Sequence, residues 1–156
     1  MIVCSDGHNG TPASVVALGM FDGVHIGHQT LLKEARRLAQ EAAVPLVVQT
    51  FVEHPLCLLA PDQCPPLLTT PEEREQLMRK LGVDVYCAQH FTPEVMNQSP
   101  EDFVRELAER WHPVTVVVGF NYTFGKGGAG TPKMLTKLGK TFHFKTVMVP
   151  AVRWLD

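Results

Sequence analysis

The chain has 156 residues, enough for one domain with a sizeable hydrophobic core. Hydrophobic residues make up 45% and charged residues 19% of the sequence, a balance that excludes an intrinsically disordered protein. The formal net charge of -2 argues against a general nucleic-acid binder, and no apolar run approaches the roughly 18 residues that a membrane span needs.

The N-terminal residues and the cysteines indicate the compartment. The first ten residues, MIVCSDGHNG, are polar and glycine-rich and do not resemble a signal peptide. The four cysteines (Cys4, Cys57, Cys64 and Cys87) show neither CxxC spacing nor a dense framework, so we interpret them as reduced thiols. Together these features predict a cytoplasmic protein.

The first half of the chain alternates between predicted strands and helices. The apolar run at 14–21 predicts a buried strand, and apolar residues spaced by three and four over 31–42 predict a helix. Residues 44–51 predict a second strand. The next helix opens with Pro71 at its first position and ends at Gly82, a typical C-cap residue.

The second half continues the alternation. We predict strands at 83–88, at 114–120 and at roughly 142–149, with helices at about 99–111 and 131–140. Strands that alternate with helices indicate a parallel sheet. The sequence therefore predicts an α/β fold, a Rossmann-like three-layer α/β/α sandwich with about five parallel strands. Ligands are expected at the carboxyl ends of those strands.

The segment FDGVHIGH, residues 21–28, falls at the turn between the first strand and the first helix. Backbone N–H groups and the helix dipole favour an anion at such a turn, and Gly23 and Gly27 allow the backbone to approach it closely. His25 and His28 are three residues apart, so both imidazoles can face one pocket. Two such donors suit the charge that builds on a phosphoryl group under attack.

These motifs have other interpretations. A single histidine at a helix start is typically a cap or surface residue, and a zinc site at His25 and His28 lacks both HExxH and CxxC partners. The glycine-rich loop at 119–130 fails as a P-loop, because five residues separate its first glycines and Gly127 replaces the required Ser or Thr. The alternative for this loop is a mobile segment whose aromatic residues pack on the core.

These residues carry a resemblance to a known family. HxGH at this turn is the signature of the nucleotidylyltransferase superfamily, and GMFDGVHIGHQTLL resembles the GxFDGxHxGHxxLL pattern of bacterial-type FAD synthetases. Three further segments agree in order: QTFVEHP (49–55), with Glu53 in place of a common Pro, the stretch at 67–84, and VVVGFNYTFGKGGAGT (116–131). The similarity runs from about residue 15 to about residue 150.

The resemblance implies a nucleotidylyltransferase-type fold and transfer of AMP from ATP to FMN, giving FAD and pyrophosphate with Mg²⁺. It implies that His25 and His28 are catalytic and hold the ATP phosphates, and that Asp22 contacts ligand or a Mg²⁺ shell; no dedicated metal ligand is predicted. The implied ATP-binding residues are Gly19, Met20, Phe21, Asp22, Gly23, His25, Gly27 and His28. The implied FMN-binding residues are Thr50, Phe51, His54, Asn121, Tyr122, Phe124 and Lys126.

Two departures from the family pattern keep alternatives open. We expect a single domain over 1–156 that lacks both the usual Ser-Ser-Thr-Arg segment and the riboflavin kinase module. The alternatives are a catalytically weak binding module for flavin or adenine nucleotide, and a nucleotidylyltransferase with another phosphate acceptor. Phe51 fits a core position as well as a flavin contact. The expected partners are ATP, FMN, FAD and pyrophosphate, without nucleic acid or membrane.

Overall fold

The computed structural model of the chain describes residues 1–4, 10–21, 26–66 and 69–150, without the side chains of residues 26 and 27. Within these residues six strands form one sheet in the order β1-β4-β3-β2-β5-β6, and every neighbouring pair is parallel. The strands are β1 (Ile2–Cys4), β2 (Ser14–Leu18), β3 (Leu46–Phe51), β4 (Val85–Gln89), β5 (Pro113–Gly119) and β6 (Lys145–Val149). The predicted parallel α/β class is confirmed.

Along the chain, the helices fall between consecutive strands from β2 to β6. They are α1 (Ile26–Ala42), α2 (Leu56–Leu59), α3 (Pro71–Lys80), α4 (Pro93–Met96), α5 (Pro100–Trp111) and α6 (Pro132–Phe142). At the start of α3, α4, α5 and α6 a Thr or Ser side chain accepts a hydrogen bond from a backbone N–H, and Pro follows it directly. Local sequence therefore fixes where these four helices begin.

Two hydrophobic cores lie on opposite faces of the sheet. Side chains alternate along β2, so Val15 and Ala17 join the core with α1 and α3, while Val16 and Leu18 join the core with α5 and α6. Both faces of this central strand are buried, which is why its sequence is a continuous apolar run. The predicted three-layer α/β/α sandwich is the result.

The sixth strand, β1, was not predicted from the sequence. Its three residues pair with β4, with Ile2 opposite Val85, and the Ile2 N–H donates to the Asp84 carbonyl at 2.8 Å. Ile2 and Val3 are exposed at this edge of the sheet. A segment this short carries no periodicity, so the free edge of β4 decides its structure.

Two strand boundaries differ from those predicted. The strand expected to reach residue 21 ends at Leu18, and Gly19 and Met20 already belong to the turn that follows. The last strand begins at Lys145 because α6 extends to Phe142 and the left-handed backbone of His143, with φ of 66°, ends it.

The prediction that all four cysteines are reduced thiols is wrong for two of them. Cys57 and Cys64 form a disulfide, with their Cα atoms 4.3 Å apart. The short helix α2 and the 3₁₀ turn Pro61–Gln63 fold the chain back between them, a reversal that the sequence spacing did not reveal. Cys4 and the buried Cys87 remain thiols.

Thiol counting tests this pairing. Under denaturing conditions without reductant, two thiols per chain should react with a chromogenic disulfide reagent, and four should react after reduction. A Cys57→Ser/Cys64→Ser double variant should give two thiols in both states. Four reactive thiols in the unreduced protein would contradict the disulfide.

The packing of α1 on the sheet should contribute strongly to the stability of the fold. Leu32 is fully buried in the core that α1 shares with β2. Leu32→Ala should lower the free energy of unfolding by about 2–5 kcal/mol, because it removes apolar contact and leaves a cavity. Chemical denaturation measures the change. The neighbouring exposed residue supplies the control, since Lys33→Ala should change stability by less than about 0.5 kcal/mol.

Candidate functional site

The carboxyl ends of β2, β3 and β5 border a cavity of about 790 Å³, called the main cavity below. β2 lies between β3 and β5, so these strand ends are adjacent. Parallel α/β folds bind ligands at this edge, and the volume is typical of a small-molecule site. The main cavity is lined by Leu18, Gly19, Met20, Phe21, His28, Leu31, Gln49, Thr50, Phe51, His54, Pro55, Leu56, Pro65, Pro66, Phe103, Gly119, Asn121, Tyr122 and Thr123.

Much of the predicted site lines this cavity. The residues of the predicted nucleotide site that line it are Gly19, Met20, Phe21 and His28. The residues of the predicted flavin site that line it are Thr50, Phe51, His54, Asn121 and Tyr122. Segments far apart in the sequence therefore meet at one place.

The remaining predicted residues fall into three groups. Asp22, Gly23 and His25 lie outside the described residues, and Gly27 lies in the first turn of α1. Phe124 and Lys126 are described but do not line the main cavity. Both lie on the loop after β5.

The turn from β2 to α1 forms one wall of the main cavity. His28 lies in the first turn of α1, and its ring meets Phe21 edge-to-face, with ring centroids 5.1 Å apart. A Cβ atom at Gly19 would lie 2.8 Å from the Phe21 ring, so only glycine lets this ring pack where it does. Phe21, which is 1% exposed, thus anchors the turn and holds His28 beside the N-terminus of a long helix, where anions are favoured.

A second, smaller cavity of about 270 Å³ adjoins the first and is called the aromatic cavity below. The two cavities share Phe51, Pro55, Phe103, Tyr122 and Thr123. Its walls contain stacked ring pairs: Phe51 on Phe91 at 5.1 Å, Phe103 on Phe124 at 5.3 Å, and Tyr122 on Phe124 at 6.0 Å. Burial raises the pKa of Tyr122, so its hydroxyl stays neutral. The aromatic cavity can accept a flat apolar ring system.

The glycine-rich loop after β5 is folded on itself. Phe124 and Gly130 exchange two backbone hydrogen bonds, of 3.2 and 2.7 Å, and a Cβ atom at Gly130 would lie 2.5 Å from the Phe124 ring. Phe124 is therefore buried and lines the aromatic cavity. Lys126 is exposed near the tip, where its backbone N–H donates to the Gln98 carbonyl at 2.8 Å.

His54 contributes a donor to the main cavity. Its Nδ1 accepts a hydrogen bond from the Leu56 backbone N–H at 3.1 Å. The neutral imidazole must then carry its proton on Nε2. The ring therefore offers one N–H to an acceptor of a ligand.

Glu53 ties the loop after β3 to the loop after β4. Its carboxylate lies 2.7 Å from His90 Nδ1 and accepts a hydrogen bond from the Phe91 backbone N–H at 3.0 Å. Partial burial acts to raise the pKa of Glu53, but the hydrogen bonds from His90 and Phe91 outweigh it and hold the pKa below its ordinary value. This link fixes Phe91 against Phe51 in the wall of the aromatic cavity.

Sequence reasoning missed Gln49, Phe91 and Phe103 as cavity residues. Phe103 falls on the apolar stripe of α5 and resembles any core residue, while Phe91 follows β4 in no recognisable motif. Gln49 carried a usable signal, because a polar residue near the end of a buried strand is unusual.

Comparison with known proteins assigns the family. The sequence pattern described as FAD synthetase matches residues 8–155 of the chain. The chain belongs to the FAD synthetase family. The matched residues include both the β2–α1 turn and the glycine-rich loop after β5, so these two parts of the wall of the main cavity belong to one family pattern.

Curated relatives of this FAD synthetase family member are longer than the chain. The bifunctional riboflavin kinase/FMN adenylyltransferase of Listeria monocytogenes is 39% identical over 124 residues, which cover 79% of this chain and 40% of the relative. The corresponding protein of Bacillus subtilis is 37% identical, with 78% and 39% covered. The FAD synthetase of Listeria monocytogenes is 33% identical, with 90% and 57% covered. The chain spans about two fifths of the length of the first two relatives.

Two solved structures share the fold. A macrolide-efflux protein from Streptococcus pneumoniae has a TM-score of 0.84 and 31% identity, covering 98% of this chain and 51% of that one. A pantoate-beta-alanine ligase from Francisella tularensis has a TM-score of 0.59 and 18% identity, covering 92% and 60%, and is alike in fold alone. Among the described residues, no helix of the present chain is long and apolar enough to cross a membrane.

The contribution of Glu53 to the free energy of unfolding should depend on pH. Because the folded-state pKa of Glu53 is lowered, its contribution is present above the unfolded-state pKa and is lost as pH falls through the folded-state value. Glu53→Gln should lower the unfolding free energy by about 1 kcal/mol or less at neutral pH, since the pair is partly exposed. That difference should shrink below about pH 4.5, the ordinary pKa of the group.

Denaturant titrations at a series of pH values measure this effect. Exposed Glu109 supplies the control, because Glu109→Gln removes a carboxylate without touching the link. A difference between wild type and Glu53→Gln that stays constant down to the acid limit would contradict the assignment.

Proposed function

We propose that the chain transfers AMP from ATP to FMN, with FAD and pyrophosphate as products. One observation carries the proposal: a single main cavity connects the β2–α1 turn, which holds His28, to an aromatic cavity suited to a flat ring. Membership of the FAD synthetase family supports it. The name of the Listeria monocytogenes relative, which includes FMN adenylyltransferase, supports the choice of FMN as acceptor.

The proposed reaction needs no activated side chain. A phosphate oxygen of FMN attacks the α-phosphorus of ATP and forms a new P–O bond, while the bond from the α-phosphorus to the oxygen shared with the β-phosphate breaks. Pyrophosphate leaves with that electron pair. The phosphate of FMN is already anionic at neutral pH, so catalysis reduces to positioning the reactants and stabilising charge.

The β2–α1 turn would bind the nucleotide. In this proposal His25 and His28 donate to the ATP phosphates and stabilise the charge on the transferred group. The first backbone N–H groups of α1 add to that field, because they have no partner within the helix. The residues proposed to surround the nucleotide are Gly19, Met20, Phe21, Asp22, Gly23 and Gly27.

The flavin would occupy the other side. Phe51, Tyr122 and Phe124 line the aromatic cavity, where offset stacking and burial would stabilise the isoalloxazine ring. Thr50, His54 and Asn121 line the main cavity and would contact the ribityl phosphate. The exposed Lys126 would approach a phosphate from the loop tip.

We propose that Mg²⁺ enters with ATP. Among the described residues no group of three or more His, Cys, Asp or Glu side chains could hold a metal ion. The ion would therefore be bound mainly by triphosphate oxygens, as is usual for Mg²⁺ at such sites, with Asp22 proposed near its shell. Bound there, it would offset the negative charge of the phosphates.

The proposal is tested by FAD formation. With FMN, ATP and Mg²⁺ the protein should produce FAD and pyrophosphate in equal amounts, as measured by chromatography and a coupled pyrophosphate assay. His28→Ala should lower kcat about 10²–10³-fold, because it removes one donor to the charge of the transition state. Undiminished turnover in this variant would contradict the role of His28.

A matched histidine serves as the control. His143 is exposed beyond α6 and has a left-handed backbone that Asn tolerates, so His143→Asn should keep wild-type turnover. Saturable binding of ATP and FMN without FAD formation would contradict the proposed reaction and favour a binding module. Turnover with a different phosphate acceptor, in the absence of flavin binding, would favour another nucleotidylyltransferase.

A further inference from the structure

Gln49 is a polar side chain buried near the carboxyl end of β3. It is 8% exposed, and the three residues before it in the strand, Leu46, Val47 and Val48, are apolar and fully buried. Burying an amide is costly unless its donors and acceptor find partners. The hydrogen bonds of Gln49 therefore require an explanation.

The indole of Trp111 fixes the orientation of the Gln49 amide. Trp111 Nε1 lies 2.7 Å from Gln49 Oε1, and this contact is buried. An indole nitrogen can only donate, so the amide oxygen must face Trp111 and the NH₂ group must point away from it. That NH₂ group makes no hydrogen bond with any residue in the part of the chain that the structure describes.

The surroundings of Gln49 show where an acceptor could come from. Gln49 lines the main cavity and also a side cavity of about 180 Å³, which Gln89 lines as well. The amide nitrogen of Gln49 is not among the fully enclosed unpaired atoms of the described residues, so it is accessible from one of these cavities. At a cavity wall, a ligand can supply the missing acceptor.

The alternation of side chains along β3 indicates which part of the site Gln49 faces. Successive side chains of a strand point to opposite faces, so Gln49 shares its face with Phe51, while Thr50 points to the other. Phe51 packs against the core of α5 and α6 together with Tyr122, and both line the aromatic cavity. The ring of Phe21, which contacts His28, belongs to the opposite core. Gln49 thus lies on the side proposed for the flavin.

We propose that Gln49 is a specificity-determining residue that donates a hydrogen bond from its amide to an acceptor oxygen of the flavin substrate. Taking a flavin as the ligand rests on the proposed function. Trp111 acts through Gln49 as a positioning residue, because its N–H prevents the amide from turning its oxygen into the cavity. Ligands that offer no acceptor at this point would exclude water from the amide donor without replacing its hydrogen bond, and would bind more weakly.

Two variants of Gln49 separate the amide donor from the packing. Gln49→Met keeps the length of the side chain and removes both polar groups, whereas Gln49→Glu keeps an acceptor for Trp111 and removes the donor. Both should raise the Kd for FMN about tenfold or more, while the Kd for ATP changes less than about twofold. Quenching of flavin fluorescence, with a non-hydrolysable ATP analogue and Mg²⁺ present, measures FMN binding. Thermal unfolding confirms that each variant is folded.

Gln89→Met is the matched control, because Gln89 lines the side cavity without lining the main one. It should leave FMN binding unchanged. Riboflavin, measured in parallel, locates the acceptor. A loss with both ligands places it on the ring or ribityl chain, and a loss with FMN alone places it on the phosphate.

The possible results distinguish failure of the proposed function from failure of the proposed role of Gln49. A wild-type protein that binds no flavin would overturn the proposed function. Wild-type FMN binding that is unchanged in folded Gln49→Glu and Gln49→Met would overturn only the role of Gln49. An equal loss of ATP and FMN binding in both variants would also overturn it, since a general disturbance of the cavity has no preference for flavin.

Discussion

The parallel pairing of β2 with β3 on one side and β5 on the other is the constraint on which the site depends. Val16 is paired with Val47 and with Val116, so three adjacent strands reach the same edge of the sheet. Both faces of β2 are buried, and two separate cores hold this alignment in place. Disrupting either core would move the strand ends that border the main cavity. The alignment of the strand ends in the sheet therefore sets the geometry of the site, and the loops extend from those ends.

Trp111 couples helix α5 to this sheet at two points. Its backbone carbonyl accepts a hydrogen bond from the Ser14 hydroxyl at 2.6 Å, where β2 begins, and its indole donates to Gln49, near the end of β3. These bonds fix the helix along the sheet, because they act at opposite ends of neighbouring strands. The same helix carries Phe103, which stacks on Phe124 and lines both the main and the aromatic cavity. The buried hydrogen bond between Trp111 and Gln49 thus helps to position Phe103 in the wall of both cavities.

The aromatic cavity is assembled from segments that are distant in the sequence. Phe51 ends β3, Phe91 follows β4, Phe103 lies in α5 and Phe124 belongs to the loop after β5. Two of these rings are held by local contacts: Glu53 accepts a hydrogen bond from the Phe91 backbone, and the close approach of Gly130 allows the Phe124 ring to pack. The aromatic cavity therefore depends on several weak interactions between loops, whereas the β2–α1 turn is anchored by one buried ring.

Local sequence determined the class of the fold, the starts of α3, α5 and α6, and the turn that carries His28, because apolar periodicity and Thr-Pro or Ser-Pro caps act over a few residues. Motif resemblance also brought Thr50 and Asn121 into the predicted site. Only the tertiary structure decided the edge strand β1, the disulfide within the segment after β3, and the cavity role of Gln49. Each of these depends on a partner that lies elsewhere in the fold or on a chain reversal, and no local pattern encodes such a partner.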